Sequence, residues 1–329
     1  MRFATILLCV ALVLGTMVAP ASARAKSRTG PYEGLASWLD IYDRKPWRRP
    51  KATVARLRSK GVRTLYLQTS NYQRRRDIMF RDETGDLLEA AHAVDMKVVA
   101  WYVPSFQKVQ VDLRRSMKAI RYVSPKGHSF DSFAMDIEAD NVGKISKRNG
   151  RLLSLSKEIR SAVGRGYPLG AIIPDPKTQT YWPNFPYRRV AKVYDVFLPM
   201  SYFTFRTHGY RKVYGYTKHS LRIIRAETGD PRVPIHVIGG LAGDASRAEI
   251  KAFTRAVREK RAVGASLYDL PLMSPSDWQH LRGIRGLRAP RSEPTAPRPQ
   301  PDPHPDREPA VEPEGASFTS RILSVLFYF

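Results

Sequence analysis

Two acids set two residues apart, Asp136 and Glu138, are the residues of this sequence best placed to do chemistry. They close the run Phe130-Asp131-Ser132-Phe133-Ala134-Met135-Asp136-Ile137-Glu138, whose last four positions alternate apolar and acidic. Successive side chains of a β-strand point to opposite faces, so Asp136 and Glu138 share one side while Met135 and Ile137 share the other. Two carboxyl groups so close cannot both ionise freely, and one of them is expected to hold its proton to higher pH. A carboxylic acid that keeps its proton near neutrality is what protonation of a glycosidic oxygen requires.

The elements that must position this pair follow from hydrophobic patterning. Short apolar or β-branched runs recur at Leu35–Ile41, Val62–Thr69, Lys97–Pro104, Ser129–Ile137, Leu169–Pro174, Val193–Tyr202, Val233–Leu241 and Ala265–Leu270. Longer helix-like stretches separate them, such as Val111–Tyr122, Arg151–Val163 and Arg247–Arg258. Gly61, Gly166 and Gly264 stand just before strand-like runs, where a helix C-terminal glycine is expected. Strict alternation of strand and helix predicts an α/β fold with a parallel sheet. Eight such units in roughly 250 residues predict a closed (β/α)₈ TIM barrel. An open doubly wound sheet fits less well, because the chain after the first strand reads Trp38-Leu39-Asp40-Ile41-Tyr42-Asp43 and has no glycine-rich phosphate loop.

In such barrels function collects at the C-terminal ends of the strands. Those ends carry Asp40 and Asp43, then Gln68 to Tyr72, then Trp101 and Tyr102, then Asp136, Glu138 and Asp140. Met200-Ser201-Tyr202, Gly239-Gly240 and Tyr268-Asp269 complete the set. Aromatic faces can stack on a sugar ring while carboxylates and amides bond its hydroxyls, so the set predicts a carbohydrate site. The loop Tyr181 to Tyr187 is either an aromatic sugar platform or ordinary packing, and Arg74-Arg75-Arg76 is a loop charge run able to hold an anionic substrate group.

The fourth-strand segment resembles the Asp-x-x-Asp-x-Asp-x-Glu signature of the chitinase-like glycoside hydrolases of family 18, and the chain resembles a looser group of secreted bacterial glycosyl-hydrolase-like TIM barrels. Asp131, Asp136 and Glu138 fall on three of the four acids, and Ala134 replaces the fourth. Met200-Ser201-Tyr202 is similar to that family's sixth-strand Met-x-Tyr, with Phe203 where an aspartate would follow. The resemblance implies that Glu138 is the general acid, that Asp136 orients substrate or tunes Glu138, and that Tyr202 bonds substrate at the reacting centre. It also implies a substrate-assisted route in which the sugar's N-acetyl group is the nucleophile. A two-carboxylate route would instead need Asp40, Asp175 or Asp269. The expected substrate-binding residues are Asp40, Gln68, Trp101, Asp131, Met200 and Asp269.

Both ends read as something other than barrel. Met1-Arg2, the apolar run Phe3 to Val18 and the small residues up to Ala23 predict a signal peptide over 1–23, and hence a secreted or cell-wall-associated protein. The barrel is expected over 24–287, and a proline-rich disordered tail over 288–329. Cys9, the only cysteine, falls in the apolar run, which excludes a disulfide framework and cysteine chemistry from the mature chain. His128, His208 and His236 lack metal-ligand spacing, so neither metal nor cofactor is expected. Ser201 and Ser266 lack a Gly-x-Ser-x-Gly elbow, which argues against a serine hydrolase.

With 55 basic and 30 acidic residues the chain carries a net charge of +25. The tail holds five arginines against six acids, so the excess belongs to the body. Such a field draws polyanions, and an anionic cell-wall polymer is the expected partner outside a cell. Nucleic acid is not expected, because no helix-turn-helix, finger or RNP pattern accompanies the charge. Three functions remain: a glycoside hydrolase acting on a cell-wall or extracellular polysaccharide, a barrel that binds carbohydrate without turnover, and a polyanion-binding scaffold.

Overall fold

The computed structural model describes residues 27–178 and 180–289. The segment 1–23 and the proline-rich stretch beyond 289 lie outside the described residues. Eight parallel strands alternate with helices: β1 (Gly34–Leu39), β2 (Thr64–Asn71), β3 (Lys97–Val103), β4 (Ser132–Asp136), β5 (Leu169–Ile173), β6 (Val196–Pro199), β7 (His236–Leu241) and β8 (Gly264–Tyr268). Each lies within or beside one of the eight runs expected from patterning. The sheet order is β6-β5-β4-β3-β2-β1-β8-β7, and bridges Phe197–Ile235 and Met200–Ile238 bring β6 and β7 together. The nearly closed ring is a (β/α)₈ TIM barrel. The helices that matter below are α4 (Val109–Ile120), preceded by α1 (Arg44–Trp47), α2 (Pro50–Ser59) and α3 (Arg81–His92), and α5 (Ile145–Val163).

Two apolar cores follow from strand alternation. The outer one packs Phe133, Met135 and Ile137 of β4 and its extension against helix residues such as Leu152, Leu155 and Ile159. The inner one fills the barrel with Trp38, Tyr66, Val99, Trp101, Ala134, Ile172 and Leu198. Trp38 lies flat on Tyr66, with ring centroids 4.0 Å apart and planes 8° from parallel. Ala134, where the family signature has an acid, is fully buried in this aromatic cluster.

The inner core is tied across by a polar chain. Trp38 Nε1 donates to Ser266 Oγ (2.8 Å), which pairs with His236 Nε2 (3.1 Å), while His236 Nδ1 pairs with Tyr32 O (2.8 Å). Since a carbonyl can only accept, Nδ1 carries the proton and Ser266 donates to Nε2. Burial pushes His236 down to about 4, so it is neutral near physiological pH. Tyr32 plugs the floor of the barrel, its hydroxyl bonded to Ser132 Oγ and Phe133 O.

Gly264 does not end a helix, as its place before a strand suggested; it opens β8. A Cβ there would stand 2.3 Å from Tyr32 O and 2.4 Å from His236 Nδ1, so the plug and the histidine occupy the space of the missing side chain. Helix α5 is ended by Gly164, at φ 68°, two residues before the expected Gly166. Gly264→Ala is therefore expected to cost about 2–3 kcal/mol through overpacking. In thermal unfolding followed by circular dichroism this lowers the midpoint by roughly 5–10 °C; a shift under one degree would show that the floor can yield.

Candidate active site

The C-terminal ends of the strands surround a cleft whose empty space, open mouth included, is about 450 Å³. Its lining comprises Asp136 and Glu138, the aromatic rings of Tyr42, Tyr72, Trp101, Tyr202 and Tyr268, and the amides Gln68 and Asn71, with Val103 and Met200. Of the nine residues singled out from sequence, six come together here: Asp136, Glu138, Tyr202, Gln68, Trp101 and Met200.

The acids reach the cleft because β4 ends on an inward position. Asp136 is the last residue of the strand, and Glu138, two residues on, keeps the same side. Asp136 is 6% exposed, and its Oδ1 has no hydrogen-bond partner among the described residues. Burial and then the neighbouring Glu138 push its carboxyl well above the usual range. Burial, with the charge of Asp140 adding to it, pushes Glu138 up to about 7. Both members of the pair thus favour the protonated form, where the spacing alone required this of only one.

The rings around the pair share its environment. Burial, with the charges of Asp136 and Glu138, raises Tyr202 well above 10, so its hydroxyl stays a hydrogen-bond donor. Tyr202 stands 6.2 Å from Tyr268 between ring centroids, and Trp101 meets Trp38 edge-on at 5.7 Å. Trp101 Nε1 is buried without a partner among the described residues. An unmet buried donor or acceptor costs about 1–3 kcal/mol, so Trp101 Nε1 and Asp136 Oδ1 are a stability cost concentrated at this site.

Asp40 and Asp269 lie behind the lining. Tyr268 donates its hydroxyl to Asp40 Oδ2 (2.9 Å), and Asp40 Oδ1 accepts from Tyr42 N (2.8 Å). Burial and the adjacent Asp40 push Asp269 up to about 8. The peptide bond between Tyr268 and Asp269 is cis. Asp175, the third candidate for a second carboxylate, is bonded by the hydroxyls of Thr178 and Tyr216 and by Lys177 N (3.1 Å), away from the cleft lining.

Asp131 and Tyr102 depart from the expectation. Asp131 precedes β4 and so sits at the opposite end of the barrel, roughly 16 Å along the strand from Asp136. Its carboxylate accepts from Val98 N (2.9 Å), pairs with His92 Nε2 (2.9 Å) and meets Lys97 Nζ (3.2 Å). Although its burial works against this, those partners hold it below the usual carboxylate range, as suits an ionised structural acid. Tyr102 faces outward and bonds Asp112 of α4 (2.7 Å). Phe203, in the place of the family's aspartate, packs on Phe253 with centroids 5.7 Å apart.

Tyr42 and Val103 line the cleft without having been among the sequence-derived site residues, and Tyr181 belongs to the loop with two readings, sugar platform or packing. Tyr181 stands near the pair, since burial and the charges of Glu138 and Asp136 raise its hydroxyl well above 10. The rest of the Tyr181 to Tyr187 loop is packing: Trp182 is fully buried, and Phe185 meets Trp182 and Tyr187 edge-on at 5.6 and 4.9 Å. The loops bearing Glu138 and Tyr181 are joined by Arg148 of α5, only 3% exposed. Its guanidinium donates to the carbonyls of Val142 (2.7 Å), Tyr181 (2.8 Å) and Asp140 (3.1 Å) and lies 4.8 Å over the Trp182 ring.

No family model and no curated protein matches the chain. Solved structures match its fold. The chain is similar to an endo-β-1,4-mannanase from Thermotoga petrophila, with TM-score 0.61 and 9% identity over 82% of this chain and 80% of that one. It is similar to the spore cortex-lytic enzyme SleL of Bacillus cereus, with TM-score 0.57 and 9% identity over 77% and 74%. A chitinase from Bacteroides thetaiotaomicron gives TM-score 0.56 and 12% identity over 77% and 95%. The barrel is therefore of a kind shared with enzymes that degrade polysaccharides. Among the described residues no helix is long and apolar enough to cross a membrane.

Proposed function

We propose that the cleft hydrolyses a polysaccharide, with Glu138 as the general acid. The observation that carries this reading is the inward carboxyl pair with Glu138 pushed up to about 7 beside five aromatic rings. Glu138 donates its proton to the glycosidic oxygen as the bond from that oxygen to the anomeric carbon breaks. The resulting carboxylate then takes a proton from water as the hydroxide adds to that carbon, which restores the acid. Asp136, held protonated by burial, donates to a substrate acceptor close to the reacting centre, and the Tyr202 hydroxyl, from the end of β6, does the same.

No acid other than this pair lines the cleft among the described residues, and burial keeps Asp136 protonated. That favours a nucleophile supplied by the substrate's own N-acetyl group over one supplied by Asp40, Asp175 or Asp269. The reading extends to an exported protein acting at the cell wall, on the strength of residues 1–23. Ala134 and Phe203, in place of two acids of the family signature, favour a second reading: a barrel that binds carbohydrate without cleaving it.

The test is release of reducing ends from mannan, chitin and spore cortex between pH 5 and 9. Hydrolysis by Glu138 predicts turnover of at least one of them, constant below pH 6 and falling with a midpoint near 7 as the acid loses its proton. Binding of glycan with no release at any pH would establish the second reading instead.

A further inference from the structure

Six cationic side chains crowd one edge of the cleft, on and beneath the loop that follows β2. Arg74, Arg75 and Arg76 stand on the loop; Arg114, Arg115 and Lys118 of α4 support it. The acid among them, Asp77, is shared by Arg114 (3.1 Å), Lys118 (3.0 Å) and Arg115 (3.5 Å), and the Arg114 bond leads in holding it down at about 2. Arg75 and Arg76 are exposed, and neither guanidinium makes an ion pair or hydrogen bond among the described residues. Arg74 lies 5.1 Å over the ring of Tyr42, and its Nε is buried with no partner.

The loop is fixed from below. Arg115 is buried and donates to Asn71 O (2.8 Å) and Arg74 O; Ser70 Oγ donates to Arg76 O (2.7 Å), and Met79 N to Thr69 O (2.8 Å). The backbone of the triplet is thus set before any ligand arrives, so binding has to order the arginine side chains but not the loop. Tyr42, Asn71 and Tyr72 line the cleft and adjoin the triplet, and Asn71 Nδ2 donates to the Tyr42 hydroxyl (2.8 Å). A flexible solvated charge run would need none of this support.

We infer that the substrate of the cleft is an acidic glycan, one that carries a carboxylate or phosphate substituent met by Arg74, Arg75 and Arg76 while a neighbouring sugar lies over Glu138. This rests on the glycan-cleaving reading above. Guanidinium groups pair with both anions through matched forks of donors. The protonated state of the acid pair removes the repulsion that two cleft carboxylates would otherwise exert on such a substrate.

Calorimetric titration tests this with uronate oligosaccharides, their carboxyl-reduced counterparts and a phosphate-substituted glycan of equal length. The proteins are Glu138→Gln, which keeps the glycan intact, and the same chain with Arg75→Gln and Arg76→Gln added. At low salt the parent is expected to bind at least one acidic glycan about tenfold or more tighter than the uncharged one. Which acidic glycan it prefers identifies the anion. The preference should vanish in the arginine-substituted chain, and it should shrink at 0.5 M salt. Both side chains are exposed, so an unchanged melting midpoint serves as the folding control. Equal binding of acidic and neutral glycans by the parent, or a preference that survives the substitutions, overturns the inference and leaves the glycan reading standing. Failure of every glycan to bind overturns both.

Discussion

Glu138→Gln is expected to raise the thermal midpoint of the protein at pH 8. A carboxyl in bulk water ionises near 4.3–4.5, whereas burial lifts Glu138 in the folded barrel to about 7. Below pH 4.5 both the folded and the unfolded chain carry the proton, and the group costs nothing. Between 4.5 and 7 the unfolded chain releases it while the folded one holds it, so stability is lost as pH rises. Above 7 the loss is complete and constant.

Glu138 keeps partial contact with solvent, so the loss is about 1–3 kcal/mol rather than the full sum of the shift. Glutamine keeps the shape and has no proton to lose. The variant should therefore melt roughly 3–8 °C above the wild type at pH 8, with the gain disappearing by pH 4.5. A site that gives up stability for an acid held at neutral pH is one shaped by function. Scanning calorimetry at the two pH values decides the matter. A glutamine variant that melts below the wild type equally at both would make Glu138 a structural hydrogen-bond acceptor.

Arg148→Met should act in the opposite direction. The guanidinium satisfies three carbonyls from two loops, those of Asp140 and Val142 after β4 and of Tyr181 after β5. Methionine fills similar space and offers no donor. Three carbonyls left unmet in a buried setting predict about 2–4 kcal/mol of lost stability, or roughly 5–15 °C in midpoint. The loops so released carry Glu138 and Tyr181, so kcat measured well below the melting point should also fall about 10–100-fold. Arg148→Lys, able to reach one carbonyl, should lie between. A methionine variant with wild-type melting and kcat would show that the loops hold themselves.

The barrel was legible because its signal is spread over the chain. Eight strand-like runs, with helix-like stretches between them, constrain one another, and the expectation survives an error of a few residues at any single end. The inward direction of Asp136 and Glu138 was legible for the same reason, since Met135 and Ile137 mark the helix-facing side of β4. Asp131 misled because a motif is read along the chain, whereas the strand carries its two ends to opposite faces of the barrel. The departures at Ala134 and Phe203 were visible, but not what replaces the acids: an interior aromatic cluster and a ring packed on Phe253.

Local backbone irregularity decides which of the residues from Gln68 to Tyr72 reach the cleft. The pairing of β2 with β3 shifts register between Gln68 and Ser70, and this bulge turns both Gln68 and Asn71 into the cleft. Simple alternation would have sent Ser70 there instead. Arg148 gave no signal at all, because a buried arginine serving carbonyls of two distant loops looks in sequence like one more charge on a helix. The Tyr181 to Tyr187 loop left two readings open in sequence, because aromatic rings serve packing and sugar contact alike; Trp182, Phe185 and Tyr187 pack, while Tyr181 stands near the acid pair.

The measurement that bears most directly on the whole account is single-turnover release of reducing ends at pH 6, wild type against Glu138→Gln, on the glycan that the cleft binds best. The account predicts chemistry in the wild type and a loss of about 10²–10⁴-fold in the variant, with the dissociation constant changed less than threefold. Equal rates in the two proteins would contradict it, because the proton would then come from somewhere other than Glu138.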